Sequence, residues 1–284
     1  MPECYICLAD AATETGCACR HGDAPLTAHV ECLVQFARER GPVGPQWDTC
    51  PVCHVRYASG EIRVALADSA FALVRGLPAR DATKLRAALA CGVARNQRNE
   101  PERAEPLLRV VVAVTSGERT PEHRELELDA KHALAVTMRM LGKYDEALAL
   151  FEEVLALEDL GAPDTQAMST AVSYAYALCG DGQVERALPI MRLALATLRE
   201  QTGPESEESI SAMCNLAQGV ALRGHLPEAE AILREAVALK RRVFGATHAL
   251  TRTSELDLAL VEAMQKRSLR ALAAPPLTLK PKRK

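Results

Sequence analysis

Gly142-Lys143-Tyr144-Asp145-Glu146-Ala147 recurs as Gly182-Gln183-Val184-Glu185-Arg186-Ala187 and again as Gly224-His225-Leu226-Pro227-Glu228-Ala229, each time with the spacing G-x-x-x-x-A. Seven residues after each alanine stands a small or β-branched residue: Val154, Ala194 and Ala236. Gly161, Gly203 and Gly245 form a second series at intervals of 42 residues. A weaker earlier copy, Asn99-Glu100-Pro101-Glu102-Arg103-Ala104, is followed seven residues later by Val111. This pattern suits a helix–turn–helix unit. The glycine ends the first helix by supplying a positive φ. The alanine opens the second helix with a side chain small enough for a close neighbour. Between the markers, Ala147, Leu150, Val154 and Leu157 keep a helical period. A single unit would leave its apolar face bare, so the units are expected to stack. About four repeats are expected over residues 83–266, with residues 61–82 as a linking helix that caps them.

The composition agrees with a mostly α-helical chain. Of its 284 residues 48% are hydrophobic and 25% charged, as in globular proteins, while only 4% are aromatic. Small and aliphatic side chains favour closely packed helices over sheets. A net charge of −3 offers no general attraction to nucleic acid or anionic membrane, and neither partner is expected. No apolar run approaches the roughly 18 residues that span a bilayer. The start, Met1-Pro2-Glu3-Cys4, lacks the basic and apolar parts of a secretory signal. A cytoplasmic location follows as the expectation, and there clustered cysteines hold metal more often than they form disulfides.

Seven of the ten cysteines lie in the first 53 residues. They read Cys4-x-x-Cys7, Cys17-x-Cys19, His29-x-x-Cys32 and Cys50-x-x-Cys53, eight ligands in all. A CxxC pair brings two thiolates to one ion from a tight turn, and zinc prefers four such ligands at tetrahedral corners. Eight ligands make two complete structural sites with no open position for substrate. A head of about 60 residues with few large apolar side chains needs that help. Zinc supplies about 10–16 kcal/mol per site. His21 and His54 are further nitrogen donors nearby, at spacings that suit the pattern less well. Cys91, Cys179 and Cys214 fall in helical stretches and read as small buried hydrophobes.

Four cysteines, a histidine and three cysteines occur in that order in both PHD fingers and RING-CH domains. The one-residue gap between Cys17 and Cys19, the distant His29, and the stretches His29-Val-Glu-Cys32-Leu33 and Cys50-Pro-Val-Cys53-His54 resemble the RING-CH pattern. A PHD-like reader of histone tails is the lesser alternative. The resemblance implies a cross-brace: Cys4, Cys7, His29 and Cys32 at one zinc ion, and Cys17, Cys19, Cys50 and Cys53 at the other. It implies a short helix over Leu33–Arg40, with Leu33 and Phe36 packed between the zinc loops. It also implies a ubiquitin-protein ligase that docks a ubiquitin-charged conjugating enzyme through Ile6, Trp47 and Pro51. Where that family often carries a basic residue beside the last ligand, this chain has His54.

The G-x-[YFL]-x-E-A motif resembles tetratricopeptide repeats, and the period near 42 resembles the kinesin-light-chain type. Val184 replaces the usual aromatic, and Pro189 falls inside the second helix of its repeat. The resemblance implies a concave surface that holds a protein or peptide, the ligase substrate. His132, Arg139, Tyr176, Asn215 and Gln218 are its inward-facing candidates. A non-enzymatic adaptor is the alternative from another class. Residues 267–284, ending Lys280-Pro-Lys282-Arg283-Lys284, read as a disordered basic tail that could serve nuclear localisation.

Overall fold

The computed structural model describes residues 4–9, 14–15, 20–21, 24–25, 27–41, 44–54, 56–57, 59–117, 120–157 and 165–273. The head contributes a short antiparallel pair, β1 (Arg20–His21) with β2 (Ala24–Pro25), then α1 (Val30–Arg38) and a single 3₁₀ turn at Pro45–Trp47. After α2 (Gly60–Val74) come four helix pairs: α3 (Ala82–Gln97) with α4 (Pro101–Thr115), α5 (Pro121–Met140) with α6 (Tyr144–Leu157), α7 (Thr165–Gly180) with α8 (Val184–Thr202), and α9 (Glu207–Leu222) with α10 (Leu226–Val243). The long α11 (Ala249–Ala273) closes the stack. The chain is mostly α-helical, with tetratricopeptide-like stacked helices behind a small Cys/His cluster. The expected disordered tail starts later than residue 267: residues 267–273 continue α11, and residues 274–284 lie outside the described residues.

The marker residues set the turns. Gly142, Gly182 and Gly224 have φ of 72°, 81° and 90°. Each is followed by a residue whose N–H returns to the carbonyl of the preceding helix: Lys143 to Met138 at 2.9 Å, Gln183 to Leu178 at 2.8 Å, His225 to Val220 at 3.1 Å. That closure satisfies carbonyls which the helix end leaves open. Asn99 takes the same place in the first pair, with φ of 60°, and Glu100 N–H returns to Arg95 at 2.9 Å. Asparagine enters the left-handed region more readily than other residues with a Cβ, so the weak copy keeps the same turn. Helix starts are capped in turn: the Asp81 side chain accepts from the N–H of Thr83 and Lys84, Thr120 from His123, and Ser206 from Ser209. Each cap contributes about 1 kcal/mol.

The alanines fill the closest approaches. Ala104, Ala147, Ala187 and Ala229 are fully buried, and so are Val111, Val154, Ala194 and Ala236 seven positions on, to within 1%. Around them Phe151, Leu178, Met191, Leu198 and Ile210 build the largest core cluster. Fully burying a large aliphatic or aromatic side chain stabilises by about 1.5–3 kcal/mol. Cys91, Cys179 and Cys214 are buried in these helices. Burial pushes the Cys91 thiol up to about 12 and Cys179 to about 11, so neither ionises at neutral pH. On the outer side, Arg192–Glu228 and Arg199–Glu235 link α8 to α10 at 2.9 and 2.7 Å. These pairs are exposed and worth at most about 1 kcal/mol each. Pro189 sits six residues into α8, beyond the first turn, yet the helix continues through it at the cost of one backbone hydrogen bond.

The position of α2 follows from its sequence, Gly60-Glu-Ile-Arg-Val-Ala-Leu-Ala-Asp-Ser-Ala-Phe-Ala-Leu-Val74, which is apolar nearly all round. Such a helix must be covered on more than one side. Ile62, Leu66 and Ala70 share a core with Cys4, Leu33, Trp47, Cys50 and Tyr57 of the head. Val64 and Ala67 pack instead with Cys91 and Ala94 of α3. Asp68 adds an ion pair to Arg95 at 2.7 Å. The linking helix is therefore sandwiched between the head and the first repeat, and ends at Val74.

Candidate metal centre and groove

Cys4, Cys7, His29 and Cys32 converge, their ligand atoms all within 4.8 Å of one another. His29 Nδ1 lies 3.3 Å from Cys7 Sγ and 3.7 Å from Cys32 Sγ. Tetrahedral zinc–sulfur and zinc–nitrogen bonds place neighbouring ligand atoms about 3.4–3.8 Å apart, so this donor set fits a zinc ion. The first pair is held by a tight turn, in which Leu8 N–H returns to Cys4 at 2.8 Å. The second pair is held by the start of α1, where Leu33 N–H returns to His29 at 3.2 Å. Burial acts to raise the Cys4 thiol, but the N–H groups of Cys7, His29 and Ile6 outweigh it and bring it down to about 6. Burial, and then the crowding of Cys7 and Cys4, pushes Cys32 up to about 12. Sulfurs this close cannot all ionise unaided; a divalent cation is the counter-charge that lets them.

Cys17 and Cys19 lie outside the described residues, so of the second ligand set only Cys50 and Cys53 can be placed. Their turn repeats the first one. His54 N–H returns to Cys50 at 2.9 Å, as Leu8 does to Cys4, and both Leu8 and His54 have left-handed φ, 63° and 56°. Cys50 is fully buried in the head core beside Cys4.

The residues expected to dock a conjugating enzyme are divided. Ile6 is partly buried and Pro51 exposed. Trp47 is buried, and its indole N–H donates to the Gly41 carbonyl at 2.9 Å. It fills the core between the head and α2 and offers no exposed aromatic anchor, because the 3₁₀ turn points it inward. The apolar side chains that do face outward on the two turns are Leu8, 73% exposed, and Val52, 66% exposed. Sequence reasoning missed both. Their only signal was an apolar residue inside or beside each CxxC. Within α1, Leu33 and Ala37 are buried, while Phe36 lies outside the head core with the Arg40 guanidinium 3.5 Å above its ring.

Three of the five groove candidates come together. Arg139, Tyr176 and Gln218 line a cavity of about 450 Å³ with Tyr144, Leu222 and, from α11, Leu260 and Met264. The Arg139 guanidinium stacks 4.5 Å over the Tyr176 ring, and burial lowers its pKa. Asn215 lies elsewhere, in a cleft of about 570 Å³ where His54 and Arg56 of the head face Ser169, Ser173 and Glu207 of α7 and α9. His132 belongs to the packing between helices: its ring meets Phe151 edge-on at 5.6 Å and Nδ1 is 3.1 Å from Thr170 Oγ1. The contribution of α11 to the cavity was not legible, since that helix carries no G-x-x-x-x-A marker.

Models of the tetratricopeptide repeat match residues 166–242 and 128–157. Over these residues the stacked helices are repeats of the tetratricopeptide kind. More particularly, the repeats resemble those of kinesin light chains. One similar solved structure is a Podosopora anserina putative kinesin light chain with nearly identical TPR-like repeats, at 21% identity and a TM-score of 0.50, covering 75% of this chain and 95% of that one. Another is BtubC (BKLC) from P. vanneervenii, at 17% identity and a TM-score of 0.51, covering 80% and 96%. No curated protein matches the chain. Among the described residues, no helix is long and apolar enough to cross a membrane.

Proposed function

We propose that the chain is a RING-type ubiquitin-protein ligase of the non-covalent kind, in which the head docks a ubiquitin-charged conjugating enzyme and the repeats hold the protein substrate. The observation that carries this reading is the convergence of Cys4 and Cys7 with His29 and Cys32 across the intervening Cys17 and Cys19. It supports a cross-brace reading, whose other half would be Cys17, Cys19, Cys50 and Cys53 at a second zinc ion. Zinc here supplies structure. The chemistry is proximity: bringing an acceptor lysine to a bound thioester raises its effective concentration by orders of magnitude. The docking patch is then Ile6, Leu8, Pro51 and Val52, four residues on the two matching turns. The cavity around Arg139, Tyr176 and Gln218 takes an extended segment of the substrate.

The test is self-ubiquitination of the full chain against a panel of conjugating enzymes. Leu8→Ala and Val52→Asp, both at exposed positions, are expected to lower the rate at least tenfold with the thermal midpoint unchanged. His54→Arg, which places a basic residue beside the last ligand, is expected to raise it. A wild-type chain that is inactive with every carrier, or activity that survives both patch substitutions, overturns the reading. The burial of Trp47 favours a second one, a zinc-headed adaptor that binds proteins on both domains without transferring ubiquitin.

A further inference from the structure

We infer that the metal-bound head is the N-terminal cap of the repeat array and that its metal holds closed the cleft between the head and α7 and α9. The inference rests on the zinc reading above and adds to it a coupling between the metal and that cleft. Cys4 is a ligand and is also fully buried in the core that Ile62, Leu66 and Ala70 of α2 complete. Those three recur every four residues and cover one face of α2. The other face is committed to α3 through Val64, Ala67 and the Asp68–Arg95 pair. One helix thus carries both contacts, and neither can be lost without baring an apolar side of it.

The closing turn of the head extends the coupling to the cleft. Asp48 and Arg56 are joined at 3.3 Å, and Tyr57 N–H returns to the Asp48 carbonyl at 2.9 Å, so the segment after Cys53 is fastened to the segment before Cys50. His54 and Arg56 from that segment form one wall of the cleft whose other wall includes Ser173, Glu207 and Asn215. When the metal leaves, the head loses its main source of order, α2 loses its cover, and this wall moves away. The cleft is then more open in the metal-free chain than in the metal-bound one. By linkage, anything that loosens α2 must also weaken the hold on the metal.

The experiment uses the full chain, a zinc-selective chelator and hydrogen exchange followed by mass spectrometry, with released metal measured by a colorimetric indicator. Chelation is expected to release zinc and to speed exchange at least tenfold in α2 and in the first turns of α7 and α9 facing the head. The α8–α10 contact should stay unchanged. In the reciprocal arm, Leu66→Ala is expected to speed zinc release at least fivefold, while the outer-surface control Arg192→Gln leaves it unaltered. If zinc is released, the head exchanges faster and α2 keeps its protection, the two domains are independent and the coupling is overturned while the zinc reading stands. A chain that carries no zinc at all overturns the zinc reading and the coupling with it.

Discussion

At the scale of single residues, position in the sequence and position in space part company most clearly at His132. Its register placed it among the groove candidates, yet its ring lies against Phe151 and Thr170. Desolvation there lowers its pKa from 6.5 to about 4. A histidine whose folded pKa is depressed stays neutral in the fold but takes a proton when the chain unfolds. Its contribution is therefore complete above pH 6.5 and is lost as pH falls towards 4, by up to about 3 kcal/mol. His132→Asn, which keeps a polar partner for Thr170, should remove that loss. The check is the thermal midpoint of both proteins from pH 7 to 4. Curves that run parallel throughout would show that His132 does not titrate as a buried group. Trp47 teaches the same lesson. A tryptophan three residues before Cys50 has the spacing of a docking anchor, but a short 3₁₀ turn rotates it into the core. Side-chain direction at such a turn depends on backbone geometry that no spacing rule carries.

At the scale of elements, the sequence was most legible where geometry repeats. The three G-x-x-x-x-A copies and the weaker one that starts with Asn99 predicted four turns, and all four close with the same backbone hydrogen bond. That substitution within the pattern gives a direct test of the turn. Asn99→Ala forces a residue with no local hydrogen-bonding side chain into the left-handed region and should cost about 1 kcal/mol. Asn99→Gly should cost nothing or stabilise slightly. Denaturant midpoints with unchanged slopes would establish the order, and an alanine variant as stable as the glycine one would contradict the assigned turn. The double burial of α2 was less legible. A linking helix was expected, but an apolar pattern without a polar face does not say which two surfaces cover it. The second ligand set is legible only in its spacing, since Cys17 and Cys19 fall outside the described residues.

At the scale of the whole molecule, a stack in which each helix pair touches only its neighbours has a stability that varies along its length. Its two ends are unlike. The N-terminal end is covered: α2 lies between the head and α3, and its apolar residues are buried on both sides. The C-terminal end is α11, which buries Val261 but leaves Leu256 at 72% and Leu260 at 61% exposure. Among the described side chains beyond Val261 none is fully buried, although Lys240 Nζ donates to Ser254 Oγ at 2.7 Å and anchors the first turns of the helix. Opening should therefore begin in the last turns of α11, reach α10 next, and reach α7 and α9 only near global unfolding. Native-state hydrogen exchange reads this as a gradient of opening free energies. Two substitutions sharpen it. Leu256→Glu should change stability by less than about 0.5 kcal/mol, because its side chain is already in water. Val261→Ala should cost about 1–2 kcal/mol and lower protection in α10 as well, because the lost volume lies at their contact. If α2 opens before α11 while zinc is bound, the head does not cap the array, and the order of stability runs opposite to the one the burial pattern requires.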